Sequence, residues 1–493
     1  MFYNYKKFLS TERFRKSSLH RSSTIEEFYS DRSRILFCTS FRRLIQKAQV
    51  FSLESNSSVR TRLTHSLEVS DIGRTLANQI AYKLKNKSEL SQTNIQPMVA
   101  VVENACLLHD IGNPPFGHFG ESAIRKWAEK DLLKAAPDII IDQVIKSNDE
   151  DRDTDPNYQL LDLLLADFRE FDGNPQGFRT VTKLHTDYDE YSLNLTYATL
   201  LSILKYSRAA GEAKGDGILK KAGYFQSEKP LVEKLYQAVD VPIHHRTPLV
   251  YIMEAADDIA YCMSDIADGI EKRILTEETF IKEFKKAWEE GGADIKELPV
   301  KLPKDGNLNG FNRDISVPWS RAAVKEAVDT FFKIQDSVYD GTATEILPDD
   351  GSVGKVFKTV KEVSRKALYN SIEAESIELT GYAVIEGILN NYEPLLQLDE
   401  KTFSKLVNNE APKGTDLERR LFHRIGERYV KAYTYAKDKL ISNEGLETTG
   451  IEFQIKEWWL RIHMLIDHIS GMTDDYALET YQMLEGINLL KTR

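Results

Sequence analysis

Cysteine is scarce in this chain of 493 residues, which contains only Cys38, Cys106 and Cys262. The three are odd in number and far apart, and each lies in an apolar or helix-like stretch. A disulfide framework of the kind that stabilises small secreted domains is therefore not expected. We predict three reduced thiols in the protein core.

Long hydrophobic runs are also missing. No stretch approaches the roughly 20 apolar residues that cross a bilayer. Residues 1–16 are polar and of mixed charge, unlike a secretory signal peptide. Charged residues make up 29% and hydrophobic residues 41% of the chain, as in ordinary globular proteins. The simplest expectation is a cytoplasmic location.

The chain has no excess of positive charge, because its formal net charge is -11. This argues against a general nucleic-acid scaffold, although the field at any one surface depends on how the charges are distributed. Basic residues do gather near the N-terminus, at Arg13, Arg15, Lys16, Arg21, Arg32, Arg34, Arg42 and Arg43. This set supports an alternative hypothesis of another class, a nucleic-acid-responsive regulator with weak catalysis.

Strand-like alternation is rare, whereas helical periodicity recurs along most of the chain. In residues 62–82, Leu67, Val69, Ile72, Leu76 and Ile80 recur near the helical period. Further helices are predicted over residues 97–110, 158–170, 190–209, 248–273, 320–339, 355–397, 415–441 and 451–490. We therefore predict an all-α fold with few or no short strands.

Non-helical stretches separate these helices. Residues 149–155 form an acidic link, and residues 289–318 and 341–354 are rich in glycine, proline, asparagine or aspartate, as surface loops are. The sequence contains no internal repeat and no low-complexity tract. The roles of the two loops do not follow from the sequence.

A histidine–aspartate pair ends the apolar helix predicted over 97–110. His109 and Asp110 are followed by glycine and two prolines, which break the helix. An imidazole and a carboxylate held on a rigid element suit a divalent metal that keeps open positions. Two adjacent ligands do not complete a shell. Other helices supply further candidates, namely His65 on the apolar stripe of 62–82 and the pair Asp257–Asp258.

Each candidate ligand has a simpler structural interpretation. His65 fits a hydrogen-bonded core histidine. His109 and Asp110 fit a polar helix C-terminus, and Asp257–Asp258 fit a solvated helix face. The carboxylates lie in an otherwise apolar helix, however, where burial is costly without a partner. One bound metal accounts for all of these residues together. Helix geometry does not decide which of the two aspartates is the ligand.

The order of these residues resembles the HD-domain superfamily of metal-dependent phosphohydrolases. Longer strings resemble the bacterial deoxyguanosinetriphosphate triphosphohydrolases, or dGTPases, over most of the chain. The strings are TRLTHSLEV (61–69), LLHDIGNPPFGHFGE (107–121), FDGNPQG (171–177), MEAADDIAYC (253–262) and DHISGMTDDYA (467–477). The resemblance implies an HD-domain helical core with additional C-terminal helices.

The resemblance also assigns roles to individual residues near the predicted metal. It implies metal ligands at His65, His109, Asp110 and Asp257, with Asp258 beside them. His118 and Glu121 resemble the catalytic histidine and acid of the family, with a possible supporting role for Asp172. In related enzymes a histidine precedes that acid, but here the residue is Phe171, so no histidine role exists there. The simpler interpretation of His118 is a packed loop histidine.

Substrate contacts follow from the same resemblance. Phosphate contacts are implied for Arg62, Lys205 and Lys221, although surface lysines are usually only solvated. Sugar contacts are implied for Gln49, Tyr261 and Asp265. Base contacts are implied for Val50, Glu378, Arg420 and Arg428, although helical surfaces carry such charges routinely.

The implied reaction is metal-dependent hydrolysis of dGTP at the α-phosphorus to deoxyguanosine and inorganic triphosphate. Alternatives are a broad-specificity dNTP triphosphohydrolase or another HD nucleotide phosphohydrolase. Mg²⁺ or Mn²⁺ is the expected metal, with Co²⁺ or Fe²⁺ also compatible with the ligands. The family further implies a homo-oligomer, possibly a hexamer, and single-stranded DNA as a possible effector. No membrane partner is expected.

Three segments are predicted along the chain. Residues 1–54 form an N-terminal arm and helix, and residues 55–275 form the phosphohydrolase core. Residues 276–493 form a helical region that packs on the core and contributes to base recognition and oligomer contacts.

Overall fold

The fold was obtained as a computed structural model, which describes residues 3–146, 154–187, 189–302 and 310–487. The predicted acidic link at 149–155 and the loop at 289–318 thus fall partly outside the described residues. Within the described ranges the chain forms 21 α-helices and two short strands. The prediction of an all-α fold is confirmed. No helix in these ranges is long and apolar enough to cross a membrane.

The helices are named in chain order. The first ten are α1 (Thr24–Phe37), α2 (Thr39–Arg43), α3 (Arg62–Asn86), α4 (Ile95–Leu108), α5 (Gly117–Lys130), α6 (Asp138–Ile140), α7 (Pro156–Arg169), α8 (Gly173–Lys183), α9 (Tyr197–Ser202) and α10 (Lys229–Ala238). The strands β1 (Arg208–Ala209) and β2 (Ala222–Tyr224) pair in parallel.

The remaining helices follow β2 and α10. They are α11 (Pro248–Glu271), α12 (Glu277–Glu290), α13 (Val317–Lys333), α14 (Gln335–Tyr339), α15 (Ser352–Ser364), α16 (Ile372–Gln397), α17 (Glu400–Val407), α18 (Asp416–Phe422), α19 (Glu427–Ser442), α20 (Ile451–Ser470) and α21 (Asp474–Leu484). Short 3₁₀ and π-helical turns lie between them, including a π-helical turn at Arg365–Tyr369.

Several predicted helices are shorter or divided in the structure. The prediction of a helix over 190–209 is wrong for most of that range, since α9 is the only helix that the structure describes there. Thr196 caps α9 by accepting a hydrogen bond from the Thr199 amide, so the helix starts late. The stretch 451–490 divides into α20 and α21, because α20 ends before Gly471 and Thr473 caps a new helix. Likewise 320–339, 355–397 and 415–441 are each divided.

The chain divides into two compact units, each built from three separate stretches of sequence. Unit 1 comprises residues 1–111, 195–207 and 231–378, and unit 2 comprises residues 112–194, 208–230 and 379–493. These breaks differ from the predicted boundaries after residues 54 and 275. The functional roles given to the three predicted segments stay a prediction.

Unit 1 has a core in which α3, α4 and α11 pack on one another. Helix α3 starts at a capping box, where Thr61 and Thr64 each accept a hydrogen bond from the amide of the other. Gly73 allows α3 and α4 to approach closely, because a Cβ atom at this position would lie 2.5 Å from Cys106 Sγ. All three cysteines are buried free thiols. The three helices that carry the candidate metal ligands are therefore rigidly packed.

Unit 2 is organised around α20, which is buried along most of its length and packs against α7 and α19. Helix α5 packs against α7, and α8 packs against β2. Phe116, which precedes α5, has a left-handed backbone with φ of 60°. A residue other than glycine adopts this conformation only where its surroundings hold it there.

Three residues of the basic N-terminal set form ion pairs within unit 1. Arg13 is buried and pairs with Glu27 and Asp31, at nitrogen–oxygen distances of 2.9 and 2.6 Å. Arg21 also pairs with Glu27, and Arg32 lies 3.7 Å from a Glu103 oxygen. These three residues are therefore neutralised by acidic partners, and the nucleic-acid-responsive alternative stays a prediction that rests on the rest of the set.

Replacing Asp31 by alanine is expected to lower the free energy of unfolding of unit 1 by about 3–5 kcal/mol. The buried Asp31 carboxylate accepts hydrogen bonds from Arg13, from the Thr196 amide and from the hydroxyls of Thr196 and Thr199. Its loss removes these bonds and takes from the buried Arg13 guanidinium one of its carboxylate partners, while Glu27 remains. Urea denaturation measures the effect. Glu26→Ala, on the exposed side of the same helix, is the control. If Asp31→Ala lowers the free energy of unfolding no more than Glu26→Ala does, the structural role of the Arg13–Asp31 ion pair is contradicted.

Candidate metal centre and proton-transfer pair

Three helices of unit 1 bring four candidate ligands together. His65 lies on α3, His109 and Asp110 directly follow α4, and Asp257 lies on α11. The ligand atoms of His65, His109 and Asp110 lie within 4.8 Å of one another. Asp257 Oδ1 lies 3.2 Å from His65 Nε2 and 3.5 Å from His109 Nε2. Residues far apart in sequence thus form one compact cluster of nitrogen and oxygen donors.

The hydrogen bonding of His109 suits a metal ligand. Its Nδ1 lies 2.7 Å from the Cys106 carbonyl oxygen, which can only accept, so Nδ1 carries the proton. In the neutral ring, Nε2 then keeps its lone pair. Nε2 is buried, forms no hydrogen bond with any described residue, and lies 3.6 Å from Asp110 Oδ2. A backbone carbonyl that orients the second nitrogen of a histidine is a common support of metal ligands. The residues present therefore fit a divalent metal.

The acids of the cluster are held in the charged form. Burial raises the pKa of Asp110, but Arg62 and the imidazoles of His109 and His65 lower it overall to well below its usual value. Arg62 NH1 lies 2.6 Å from Asp110 Oδ2. The pKa of Asp257 is lowered to about 2, since the opposing effect of burial is exceeded by His109, His65 and Lys205. Charged carboxylates are the form that a divalent cation binds.

The two neighbouring aspartates of α11 have different surroundings. Asp257 faces His65 and His109, whereas Asp258 Oδ1 lies 3.1 Å from Lys361 Nζ on α15. Helix geometry alone left open which of them is the ligand. The contacts favour Asp257 and give Asp258 a cationic partner away from the histidines.

The candidate phosphate cations of unit 1 lie near these acids. Arg62 contacts Asp110, as described above. Lys205 Nζ lies 3.5 Å from Glu254 Oε1, one turn before Asp257 on α11. Burial lowers the pKa of Lys205, but Glu254 and the two following aspartates raise it overall, so Lys205 is charged. Glu254 also pairs with Arg246.

Tyr261 and Asp265 are joined through a third residue, Tyr369. The hydroxyls of Tyr261 and Tyr369 lie 2.5 Å apart, and Tyr369 donates a short hydrogen bond to Asp265 Oδ2. Burial raises the pKa of Asp265 to about 7, although Tyr369 partly opposes it. Asp265 Oδ1 is buried and accepts no hydrogen bond from the described residues. An acceptor is thus left for a hydroxyl or amine of a ligand.

The other candidate sugar and base contacts in unit 1 are Gln49, Val50 and Glu378. Gln49 has a buried Oε1 that no described donor reaches. Val50 packs against the unit 1 core. Glu378 lies half-buried on α16, at the last position of unit 1.

Unit 2 holds His118 and Glu121 on the first turn of α5. His118 Nδ1 lies 3.0 Å from Glu121 Oε2, and the His118 side chain is 84% exposed whereas that of Glu121 is 3% exposed. The Gly173 amide donates to Glu121 Oε1 over 2.8 Å. A buried carboxylate thus holds an exposed imidazole by one nitrogen, as proton-transfer pairs require.

Asp172 and Lys221 form a second ion pair in unit 2, with 2.6 Å between Asp172 Oδ2 and Lys221 Nζ. Asp172 also caps α8 by accepting from the Asn174 amide. Burial raises the pKa of Asp172, but Lys221 lowers it overall. Lys221 therefore lies in the unit that holds His118, whereas Lys205 and Arg62 lie in the unit that holds the metal cluster.

The two arginines proposed for base contacts are both in unit 2. Arg420 is exposed and donates to the Asp416 carbonyl one turn before it on α18. Arg428 stacks on the Tyr429 ring, with 4.6 Å from its guanidinium carbon to the ring centroid. The structure thus gives both arginines local partners within unit 2.

Comparison with known proteins agrees with the geometry. Residues 62–176 match the family described as HD domain, a segment that includes His65, His109, Asp110, His118 and Glu121. The chain is 36% identical over 489 residues to a curated Deoxyguanosinetriphosphate triphosphohydrolase of Enterobacter sp. (strain 638), covering 93% of this chain and 94% of the relative. The chain belongs to the deoxyguanosinetriphosphate triphosphohydrolase family. HD-domain hydrolases are metal-dependent, in agreement with the cluster in unit 1.

Sequence reasoning missed several contacts that this family member shows. Lys361, which pairs with Asp258, and Tyr369, which joins Tyr261 to Asp265, are about 100 residues from their partners in sequence, at separations of 103, 108 and 104. No local periodicity signals such pairs. The bond from His109 to the Cys106 carbonyl is local, and the i to i−3 spacing at a helix end was the signal available for it.

Proposed function

We propose that this protein hydrolyses dGTP at the α-phosphorus and releases deoxyguanosine and inorganic triphosphate. The observation that carries the proposal is the 36% identity, over 93% of the chain, to a protein named Deoxyguanosinetriphosphate triphosphohydrolase. The His/Asp cluster of unit 1 and the histidine–acid pair of unit 2 supply the chemistry that this reaction needs.

His65, His109, Asp110 and Asp257 would hold a divalent metal. When bound, such a metal lowers the pKa of water and polarises a phosphoryl oxygen. Mg²⁺ or Mn²⁺ is the metal we propose, because nitrogen and carboxylate ligands accept either, and Co²⁺ or Fe²⁺ also suits this ligand set. Nothing in the ligands themselves selects among these ions.

Proton transfer is the role proposed for His118. Glu121 orients the imidazole through Nδ1 and stabilises its charged form. His118 then exchanges a proton at the reacting phosphate or the leaving 5′-oxygen. Arg62, Lys205 and Lys221 are proposed to neutralise phosphate oxygens, since rigidly placed cations serve this purpose.

Sugar selection is proposed for Gln49, Tyr261 and Asp265. The Asp265 carboxylate, with one buried oxygen unsatisfied, would accept from a 3′-hydroxyl, while the Tyr261 ring crowds the 2′ position. Guanine presents donors on one edge and acceptors on another. A carboxylate at Glu378, cations at Arg420 or Arg428, and packing by Val50 are the proposed base contacts.

Product identity tests the proposal directly. Purified protein incubated with each dNTP and Mn²⁺ or Mg²⁺ is expected to release inorganic triphosphate, with dGTP used fastest when the four dNTPs compete at equal concentration. Anion-exchange chromatography distinguishes triphosphate from pyrophosphate and orthophosphate. Release of either shorter product would contradict cleavage of the bond between the α-phosphorus and the 5′-oxygen. Equal use of the four substrates would instead indicate a broad-specificity dNTP triphosphohydrolase.

The oligomeric state and the effector that the family implies are also proposals. We propose a homo-oligomer in the cytoplasm, with the hexamer as its expected form and single-stranded DNA as an effector. The extensive ion pairing of Arg13, Arg21 and Arg32 leaves fewer basic residues for that effector than the sequence suggests.

A further inference from the structure

Two buried aspartates of the C-terminal string 467–477 have no role in the reaction proposed above. Asp467 lies near the end of α20 and is 1% exposed, and Asp474 opens α21 and is 3% exposed. Burying a carboxylate is costly unless its oxygens are bound by donors. The identity of these donors therefore indicates what each aspartate does.

Asp467 binds α8 by two of its side chains. Arg179 donates to both carboxylate oxygens, with Nε 2.9 Å from Oδ1 and NH2 2.8 Å from Oδ2, and Gln176 Nε2 lies 2.9 Å from Oδ1. Arg179 is itself held by Glu228, at 3.1 Å. A bidentate arginine–carboxylate pair is directional as well as strong. Asp467 thus fixes both the position and the rotation of α8.

The first residue of α8 binds the proton-transfer pair. The Gly173 amide donates to Glu121 Oε1, and the other Glu121 oxygen lies 3.0 Å from His118 Nδ1. A helix N-terminus stabilises a carboxylate placed against it. Gly173 is also packed closely against Asn113, because a Cβ atom at position 173 would lie 1.9 Å from Asn113 Oδ1. A shift of α8 is therefore passed on to Glu121.

Asp474 contacts the residue that immediately precedes α5. Its Oδ1 accepts a hydrogen bond of 3.1 Å from the Phe116 amide. Phe116 has the left-handed backbone described above and immediately precedes α5, which carries His118 and Glu121. That conformation is strained for a residue with a side chain, so it needs such a contact.

We propose that Asp467 and Asp474 are positioning residues that set the Glu121–His118 geometry from two sides, one through α8 and one through Phe116. This inference rests on the proposed function for its kinetic consequence, but the geometry of His118 can be tested without substrate. Asp467 acts through Arg179 and Gln176 of α8, and Asp474 acts through the Phe116 amide.

Asp474 is tested by two substitutions that differ in one property. Asp474→Ala removes the acceptor for the Phe116 amide and is expected to lower kcat for triphosphate release by about 10–100-fold with KM nearly unchanged. Asp474→Asn keeps an amide oxygen in the same place and is expected to stay within about threefold of the wild type. Equal kcat values for the two variants would overturn the role assigned to Asp474.

Asp467 is tested against a matched substitution on the same helix. Asp467→Asn places an amide donor against the Arg179 guanidinium and is expected to lower kcat about tenfold or more. Glu457→Gln breaks a comparably buried ion pair with Arg461 on α20, one that has no described contact with α5 or α8. It is expected to reduce stability while leaving kcat unchanged. If the two variants lose kcat equally, the effect of Asp467 is general destabilisation and the proposal fails.

A readout that needs no substrate separates this proposal from the proposed reaction. The rate of His118 modification by diethyl pyrocarbonate is followed by peptide mass spectrometry against pH, with the exposed His20 as internal reference. The midpoint for His118 is expected to fall in Asp474→Ala and Asp467→Asn, because a displaced Glu121 carboxylate no longer lies against Nδ1 of the imidazolium. Unchanged midpoints overturn the positioning role. Absence of triphosphate from the wild type overturns only the proposed reaction. If Asp474→Ala does not fold, Asp467→Asn against Glu457→Gln decides.

Discussion

His109→Ala is expected to abolish both metal binding and hydrolysis. The imidazole presents its unprotonated Nε2 to Asp110 and Asp257, and alanine removes this donor from the centre of the cluster. The remaining carboxylates and His65 then lack a central ligand, and we expect a fall in kcat/KM of at least about a thousandfold. Metal content by plasma mass spectrometry and triphosphate release are the two measurements.

The control for His109→Ala is a half-buried histidine of unit 1, His245. His245 stacks on the Phe8 ring, and burial lowers its pKa to about 4, but it is not part of the metal cluster. His245→Ala is expected to lower the melting temperature while retaining metal and activity. A His109→Ala protein that keeps a full equivalent of metal would refute the ligand assignment. Any binding of single-stranded DNA should persist in it, since no arginine or lysine is removed.

His118→Ala is expected to lower kcat by about 10²–10⁴-fold while leaving metal content and KM nearly unchanged. The imidazole is exposed and is held by one nitrogen to Glu121, so its loss removes proton transfer without disturbing packing. Steady-state kinetics over a range of pH should also show the loss of one limb of the profile. The combination of a low kcat with retained metal separates His118 from His109.

His20→Ala serves as the control for His118→Ala, because it also removes an exposed histidine. It is expected to leave all parameters unchanged. Glu121→Gln should give an intermediate loss, since the amide still accepts from Gly173 but no longer carries the charge that stabilises the imidazolium. A His118→Ala enzyme within about tenfold of the wild type would show that proton transfer lies elsewhere.

The helices that carry the metal ligands could be predicted, because the apolar residues of their buried faces recur at the helical period. The apolar stripe that includes Val69, Leu76 and Ile80 predicts α3 and places His65 on its buried face. Pro248 marks the start of α11, and the break after Asp110 marks the end of the ligand segment. Where one helix buries one face, sequence pattern and structure agree.

Other features could not be predicted, because they depend on contacts between distant parts of the chain. The stretch 190–209 has helical composition, yet Arg208 lies in strand β1. Its buried side chain forms an ion pair with Glu170. The Tyr261–Tyr369–Asp265 arrangement joins residues from a helix and from a π-helical turn. Tertiary contacts of this kind override local propensity and leave no period in the sequence.

The interleaving of the two units has a consequence for biosynthesis. Unit 1 requires residues up to 378, so both of the first two stretches of unit 2 leave the ribosome before unit 1 is complete. At about 5–20 residues per second, Asp257 is translated on the order of ten seconds after Asp110. During that interval the apolar faces of α3 and α4 lack α11, their partner in the core. The core of unit 1 thus closes only after this delay, and no single cut in the gene yields either unit intact.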